Sequence, residues 1–442
     1  MTYPLWLARF LVQTGIARFL PVARRLSDGA GRFLRYYSDA VLSAPVEELL
    51  DSAYFPTAGP DVIDLNLPAP RYESSLSVGR ITADRRGHPP AGGLMELRRA
   101  IAEQSVRHGG PAIDAERETM IAHGAAGAFA AALDAFINPG DRVVMLDPTS
   151  PLFALGAMSR RADLRWVPTT NDEGRCRFAL RDLEKAMRGA KLIVLANPGN
   201  PTGACLDEAG FDAIASLAVK RGTLIYLDES FGLGGCSEST APSLGPRMAE
   251  LHRDGRLLAA GSVSQGWGLA SLRVGWLTGH RHLIQACSLT ANLHAPYVPT
   301  LCQQIAARAL NEGPELGAAP AVEHSLDKRQ FVVHRLRALG LDVEWPAAGF
   351  FAWVSVASLG MDGRTFAERL LKEKQVLVRP GCAFGPSGAY RVRISFAADD
   401  GRLLEGLARL AAFAESRHAA ETVPQREVVP ATGSVEPAFS RV

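Results

Sequence analysis

Short apolar runs recur along the middle of the chain with room for a helix between them. RVVMLD (142–147), KLIVLA (191–196), TLIYLD (223–228) and LLAAGSV (257–263) are the clearest. Runs of this length without polar alternation are how strands read when both faces are covered. The segments between them carry apolar residues at helical spacing, starting with LMELRRAIAEQSVR (94–107). Strand–helix alternation predicts an α/β architecture over 93–312, a mostly parallel central sheet flanked by helices. Beyond about residue 310 the rhythm changes to a long helix (roughly 318–339), strands near LDVEW and FFAWVSV, a helix, and YRVRISFA. That pattern predicts a smaller α+β domain over 313–418.

The flanks read differently. Residues 57–85, with Pro56, Pro60, Pro68 and Pro70 as punctuation, look extended, and residues 57–92 are expected to join the small domain. Residues 1–56 look like a helical, arginine-rich extension. Its stretch YPLWLARFLVQTGIARFLPVARRL is interrupted by Arg9 and Arg18, so it lacks the run of about 20 apolar residues that spans a bilayer. No basic stretch precedes it and no small-residue cleavage pattern follows, which argues against a signal peptide. It reads as an amphipathic helix that packs on the body or on a partner subunit; an interfacial membrane helix is the alternative. From about 419 the chain is polar and aperiodic, the signature of a disordered tail.

Composition narrows the function classes. Basic and acidic residues number 48 and 46, with no face-sized basic block, so nucleic acid is not an expected partner. Six cysteines (176, 205, 236, 287, 302, 382) are scattered, without a C-x-x-C or a histidine at metal spacing. They read as reduced, buried and non-ligating, in a cytoplasmic protein.

Four segments stand at expected strand ends, where α/β sheets bind ligands. HGAAGAF (123–129) opens a helix with small residues, so that main-chain N–H groups can reach an anion. NPGNPTG (197–203) forces a tight loop that presents Asn200. DESF (228–231) ends a strand with Asp228, a carboxylate that needs a cationic partner if buried. GSVSQGWGLASLRVG (261–275) brackets a glycine-containing turn between Ser262 and Arg273, a pair suited to a phosphate. Arg393, in YRVRISFA, adds a bidentate donor suited to a carboxylate.

In this order and spacing, GGLMELRRAIA, NPGNPTG, LDES, GSVSQGWGLASLRVG and RPGCAFGPSGAYRVRISFA resemble the class I/II aminotransferases, of the pyridoxal-phosphate fold type I. The resemblance covers about residues 57–416. It implies a dimer with the site at the subunit interface. It also implies that Asp228 pairs with the pyridine nitrogen, and that Asn200 bonds the ring's phenolic oxygen. Ser262, Arg273 and the N–H groups of Ala125 and Ala126 would hold the phosphate. Arg393 would hold the carboxylate of an amino or keto acid.

The chain departs from that pattern where covalent work is done. Gln265 stands where the resemblance implies the lysine that links to the cofactor and moves a proton. Its amide is neither a nucleophile nor a base near neutral pH. The chain's lysines (185, 191, 220, 328, 372, 374) fall in no matching motif, while His88 and His123 fall near the expected pocket as candidate bases. Phe231 replaces a tyrosine and Ser150 a ring-stacking aromatic. Ala126 replaces a hydroxyl residue. His88 stands for a tyrosine that reaches the partner's phosphate, and Pro68 for a glycine beside the substrate. A single engineered lysine-to-glutamine change would leave Ser150, Phe231 and Pro68 unaccounted for. The expectation is therefore a catalytically impaired relative that binds pyridoxal or pyridoxamine phosphate non-covalently if at all. It would be a homodimer or the partner of a lysine-bearing relative. Two alternatives stand beside it: a lysine-independent enzyme acting on amino or keto acids, and an aminotransferase with an engineered glutamine.

Overall fold

A computed structural model describes residues 61–66, 87–232, 244–312 and 319–421, with side chains left out over 319–327 and 418–421. The 1–56 extension and Pro68 lie outside the described residues. So does the tail beyond 421.

The described chain opens with β1 (Ile63–Asp64). The large domain follows, built on β2 (Thr119–His123), β3 (Arg142–Asp147), β4 (Asp163–Asp172), β5 (Arg175–Phe178), β6 (Ala190–Ala196), β7 (Leu224–Asp228), β8 (Leu257–Ser262) and β9 (Val274–Gly279). These form one eight-stranded sheet in the order β2-β9-β8-β7-β6-β3-β4-β5. The centre is parallel; β9 runs antiparallel to both β2 and β8, and β5 runs antiparallel to β4.

Alternate residues of the central strands feed two separate cores, which is why these strands read as continuous apolar runs. In β6, Ile193 and Leu195 join Phe211, Ile214 and Leu217 of the helix Glu208–Arg221 on one face. Leu192 and Val194 join Phe129 and Leu133 of helix Gly124–Phe136 on the other. The parallel register aligns Ala196, Asp228 and Ala260 across neighbouring strands. The polar residues that end β7 and β8 therefore emerge on one edge.

The smaller domain holds β10 (Asp342–Glu344), β11 (Phe351–Ser355), β13 (Arg379–Pro380) and β14 (Arg391–Ser395) in the antiparallel order β10-β11-β14-β13, with β12 (Val376–Leu377) paired to β1. Val343, Ala352, Val354, Val392 and Ile394 fill its core. On the opposite face Glu344, Trp353, Arg393 and Arg379 line up across the strands. The last helix, Asp400–Glu421, takes in residues 419–421, which the sequence pattern placed in the tail. Alanine and glutamate there are strong helix formers and extend it.

Candidate active site

A cavity of about 270 Å³ opens at the C-terminal ends of β6, β7 and β8. It is lined by Ala125, Ala126, Ser150, Asn200, Asp228, Phe231, Ser262, Gln265 and Arg273, among others. All these positions were singled out in the sequence, and they come from five separate stretches of chain. Parallel strands end on the same sheet edge, and Arg273 reaches it from the start of β9, which runs antiparallel.

Asp228 ends β7 with its carboxylate at the cavity. It accepts from the Ser230 N–H at 2.9 Å and the Ser230 hydroxyl at 2.5 Å. Burial raises its pKa above the ordinary carboxylate value, and the two Ser230 bonds offset part of that. Its neighbour Glu229 is pushed up to about 7, first by burial and then by the Asp228 charge. Two residues before Asp228 on the strand, the Tyr226 hydroxyl is buried with no hydrogen-bond partner among the described residues. The Tyr226 ring packs edge-on against Phe129. The sequence reading missed Ser230 and Tyr226; period-two alternation could have placed Tyr226 on the Asp228 face.

Arg273 ends a short turn with φ of 54°. Its guanidinium lies over the first residue of helix Gly124–Phe136: a Cβ on Gly124 would fall 2.6 Å from Nη2. Beside it, a Cβ on Gly275 would fall 2.4 Å from the Gly124 carbonyl carbon. Glycine at 124 and 275 lets β9 and the helix start touch. The N–H groups of Ala125 and Ala126, unpaired within the first helical turn, thereby face the cavity beside a cation.

Gln265 reaches back into the same wall. The Ser262 hydroxyl donates to Gln265 Oε1 at 3.0 Å and accepts from the Ser264 N–H at 3.3 Å. None of the six lysines lines the cavity. Ser150 precedes helix Pro151–Ser159 without a side-chain cap bond. Phe231 packs against Phe350 and Phe351, each with ring centroids 5.6 Å away.

Arg393 sits one step behind the cavity. Its Nη1 donates to Asn200 Oδ1 at 3.0 Å, and Asn200 lines the cavity. The guanidinium is 6% exposed and lies 4.0 Å from the Phe351 ring centroid. Burial, then the neighbouring Arg379 charge, push it down to about 9; it remains a cation at neutral pH. His88 and His123 do not line the cavity. His88 stacks on Tyr297 with centroids 4.7 Å apart, and His123 ends β2 just ahead of the helix start.

The whole-chain comparisons agree with this architecture. The family described as "Aminotransferase class I and II" matches residues 71–410. An LL-diaminopimelate aminotransferase from Desulforudis audaxviator is 30% identical over 383 residues, covering 84% of this chain and 94% of that protein. A probable N-acetyl-LL-diaminopimelate aminotransferase from Bacillus subtilis is 29% identical, covering 82% of this chain and 92% of its own length. Among solved structures, the aspartate aminotransferase of Thermotoga maritima superposes with a TM-score of 0.74 at 23% identity, over 86% of this chain and 100% of that one. By sequence and by fold, this chain belongs to the class I and II aminotransferase family.

Proposed function

We propose that this protein is a catalytically impaired aminotransferase relative that holds its cofactor without a covalent link. The family works with pyridoxal 5'-phosphate. One observation carries the proposal: the cavity that gathers Asp228, Ser262 and Arg273 contains Gln265 and no lysine.

The lining suits the cofactor without that link. The close approach at Gly124 and Gly275 makes a cradle of main-chain N–H groups beside Arg273, fitting a phosphate. The burial-raised Asp228 carboxylate bonds, among the described residues, only Ser230 and fits a protonated ring nitrogen. Asn200 would bond the ring's phenolic oxygen. When bound, the cofactor supplies an electron-withdrawing ring that stabilises charge on a substrate carbon. Gln265, bonded to Ser262, supplies an amide that moves no proton. Loss of positioned acid–base catalysis alone costs about 10²–10⁴-fold in rate. Arg393 would hold the carboxylate of an amino or keto acid.

Such a chain acts by pairing. Leu289 and Leu293 are 67% and 75% exposed, and Tyr297 and Leu301 are 39% and 47% exposed. An apolar stripe of this kind suits a second aminotransferase-fold subunit, another copy or a lysine-bearing relative. Retention of Asp228 favours a second reading, a lysine-independent enzyme on amino or keto acids.

One experiment separates these. Acid extraction of the purified protein, with mass spectrometry for vitamin B6 forms, is run beside its visible spectrum and borohydride treatment. Stoichiometric cofactor without a borohydride-trapped lysine, and no turnover of amino acids, is the expected outcome. Turnover by the purified homodimer establishes the second reading instead. A trapped lysine adduct, or no binding at millimolar cofactor, defeats both.

A further inference from the structure

Among the described residues, every hydrogen bond that Arg393 makes goes to a neutral amide oxygen. Nη1 donates to Asn200 Oδ1, while Nη2 donates to the Asn66 main-chain oxygen at 3.1 Å and to Asn66 Oδ1 at 3.2 Å. Nε is buried with no partner among the described residues. Phe384 lies 5.1 Å from the guanidinium on a second side, so water compensates little of the charge. A cation this enclosed gains most from an anion, yet an amide occupies one of its two terminal nitrogens completely.

Asn66 is locked there by its neighbours. The Leu65 N–H donates to Leu377 O, and Leu65 O accepts from the Ser395 N–H at 2.7 Å. Ser395 lies two residues beyond Arg393 on β14, so the docking of Leu65 delivers the next residue to the guanidinium. The Asn66 N–H is held in turn by Asp64 Oδ1 at 2.9 Å.

We propose that Asn66 is a specificity-determining residue: its two oxygens stand where a ligand's carboxylate would meet Arg393 Nη2, and an acid binds there only by displacing them. The seat therefore discriminates against small acids that bring nothing but a carboxylate. It favours amino or keto acids whose remaining groups reach the cavity beyond Asn200. This rests on the reading of Arg393 as the carboxylate anchor.

The test is titration of the full-length protein with propionate, followed by saturation-transfer NMR, with melting temperatures measured alongside. Asn66→Asp is nearly isosteric and places a competing carboxylate on the guanidinium; propionate should bind at least tenfold more weakly than to the wild type. Asn66→Ala removes one competing oxygen and should tighten propionate several-fold. Arg393→Leu should abolish binding in either background. If both Asn66 variants match the wild type while Arg393→Leu abolishes binding, the competition is refuted and the anchor stands. If propionate binds Arg393→Leu as well as wild type, the anchor reading fails too. Absence of binding to both wild type and Asn66→Ala also overturns the proposal.

Discussion

Arg273 and Arg393 look alike in the sequence, each a cation beside the same cavity, and the fold treats them in opposite ways. Arg273 is exposed. It is placed by a left-handed turn and by glycines that let two backbones meet. Arg393 is buried between two phenylalanine rings and tied to amide oxygens. In the proposed site the backbone would make the anion cradle at Arg273 with the side chain supplementing it, whereas at Arg393 the desolvated side chain itself would be the anchor.

The largest expected effect tests the backbone half of that contrast. Gly275→Val would drive a side chain into the Gly124–Ala125 main chain, which lies within 2.7 Å of a Cβ there. Rigid backbone cannot yield cheaply, so a loss of about 3 kcal/mol or more is expected in denaturant unfolding. An unchanged midpoint would show that the helix start does not depend on this contact.

Next comes the adjacent carboxyl pair, Asp228 and Glu229. Glu229 titrates near 7 in the fold and near its ordinary value of about 4.5 when unfolded. A group whose folded pKa is raised favours folding below the unfolded value, and that contribution is lost as pH rises through the folded one. Stability should therefore fall between about pH 4.5 and 7. Glu229→Gln should remove up to about 3 kcal/mol of that fall. Parallel pH profiles of the two proteins would sink the assignment.

Arg393→Lys keeps the charge but loses the planar fork and the ring contacts, so propionate affinity should drop about 10–100-fold with a modest fall in melting temperature. Arg273→Gln, exposed and lightly bonded, should leave stability within about 0.5 kcal/mol. It should weaken pyridoxal-phosphate binding only about tenfold, read from the visible spectrum. An Arg273 effect larger than that of Arg393→Lys on its own ligand would invert the comparison.

Much of this site was legible before the fold was known. Asp228, Ser262, Gln265 and Asn200 end or follow strand-length apolar runs, and topology carries such ends to one edge; Arg273 joins them from the turn that opens antiparallel β9. Asn66 was not legible. It lies in an extended segment with no periodicity of its own, and its meaning comes from pairing with residues more than 300 positions away. Ser230 was missed because its role is a contact with Asp228 that no motif spacing marks, and Tyr226 because its apolar run was read without tracking which residues share the Asp228 face. The antiparallel strand β9 also escaped the apolar-run reading, since its glycines break the run, and Gly275 is needed because the neighbouring helix start takes the space.

The sequence by itself determined the family, the alternation that builds the sheet, and the presence of Gln265 between Ser262 and Arg273, because these are properties of residue order. The tertiary structure alone decided which cations are desolvated, which carboxyls are pushed upward, and which amide oxygens bond the Arg393 guanidinium. Those depend on distances between segments far apart in the chain, and burial and Coulomb interaction act through space rather than along the backbone.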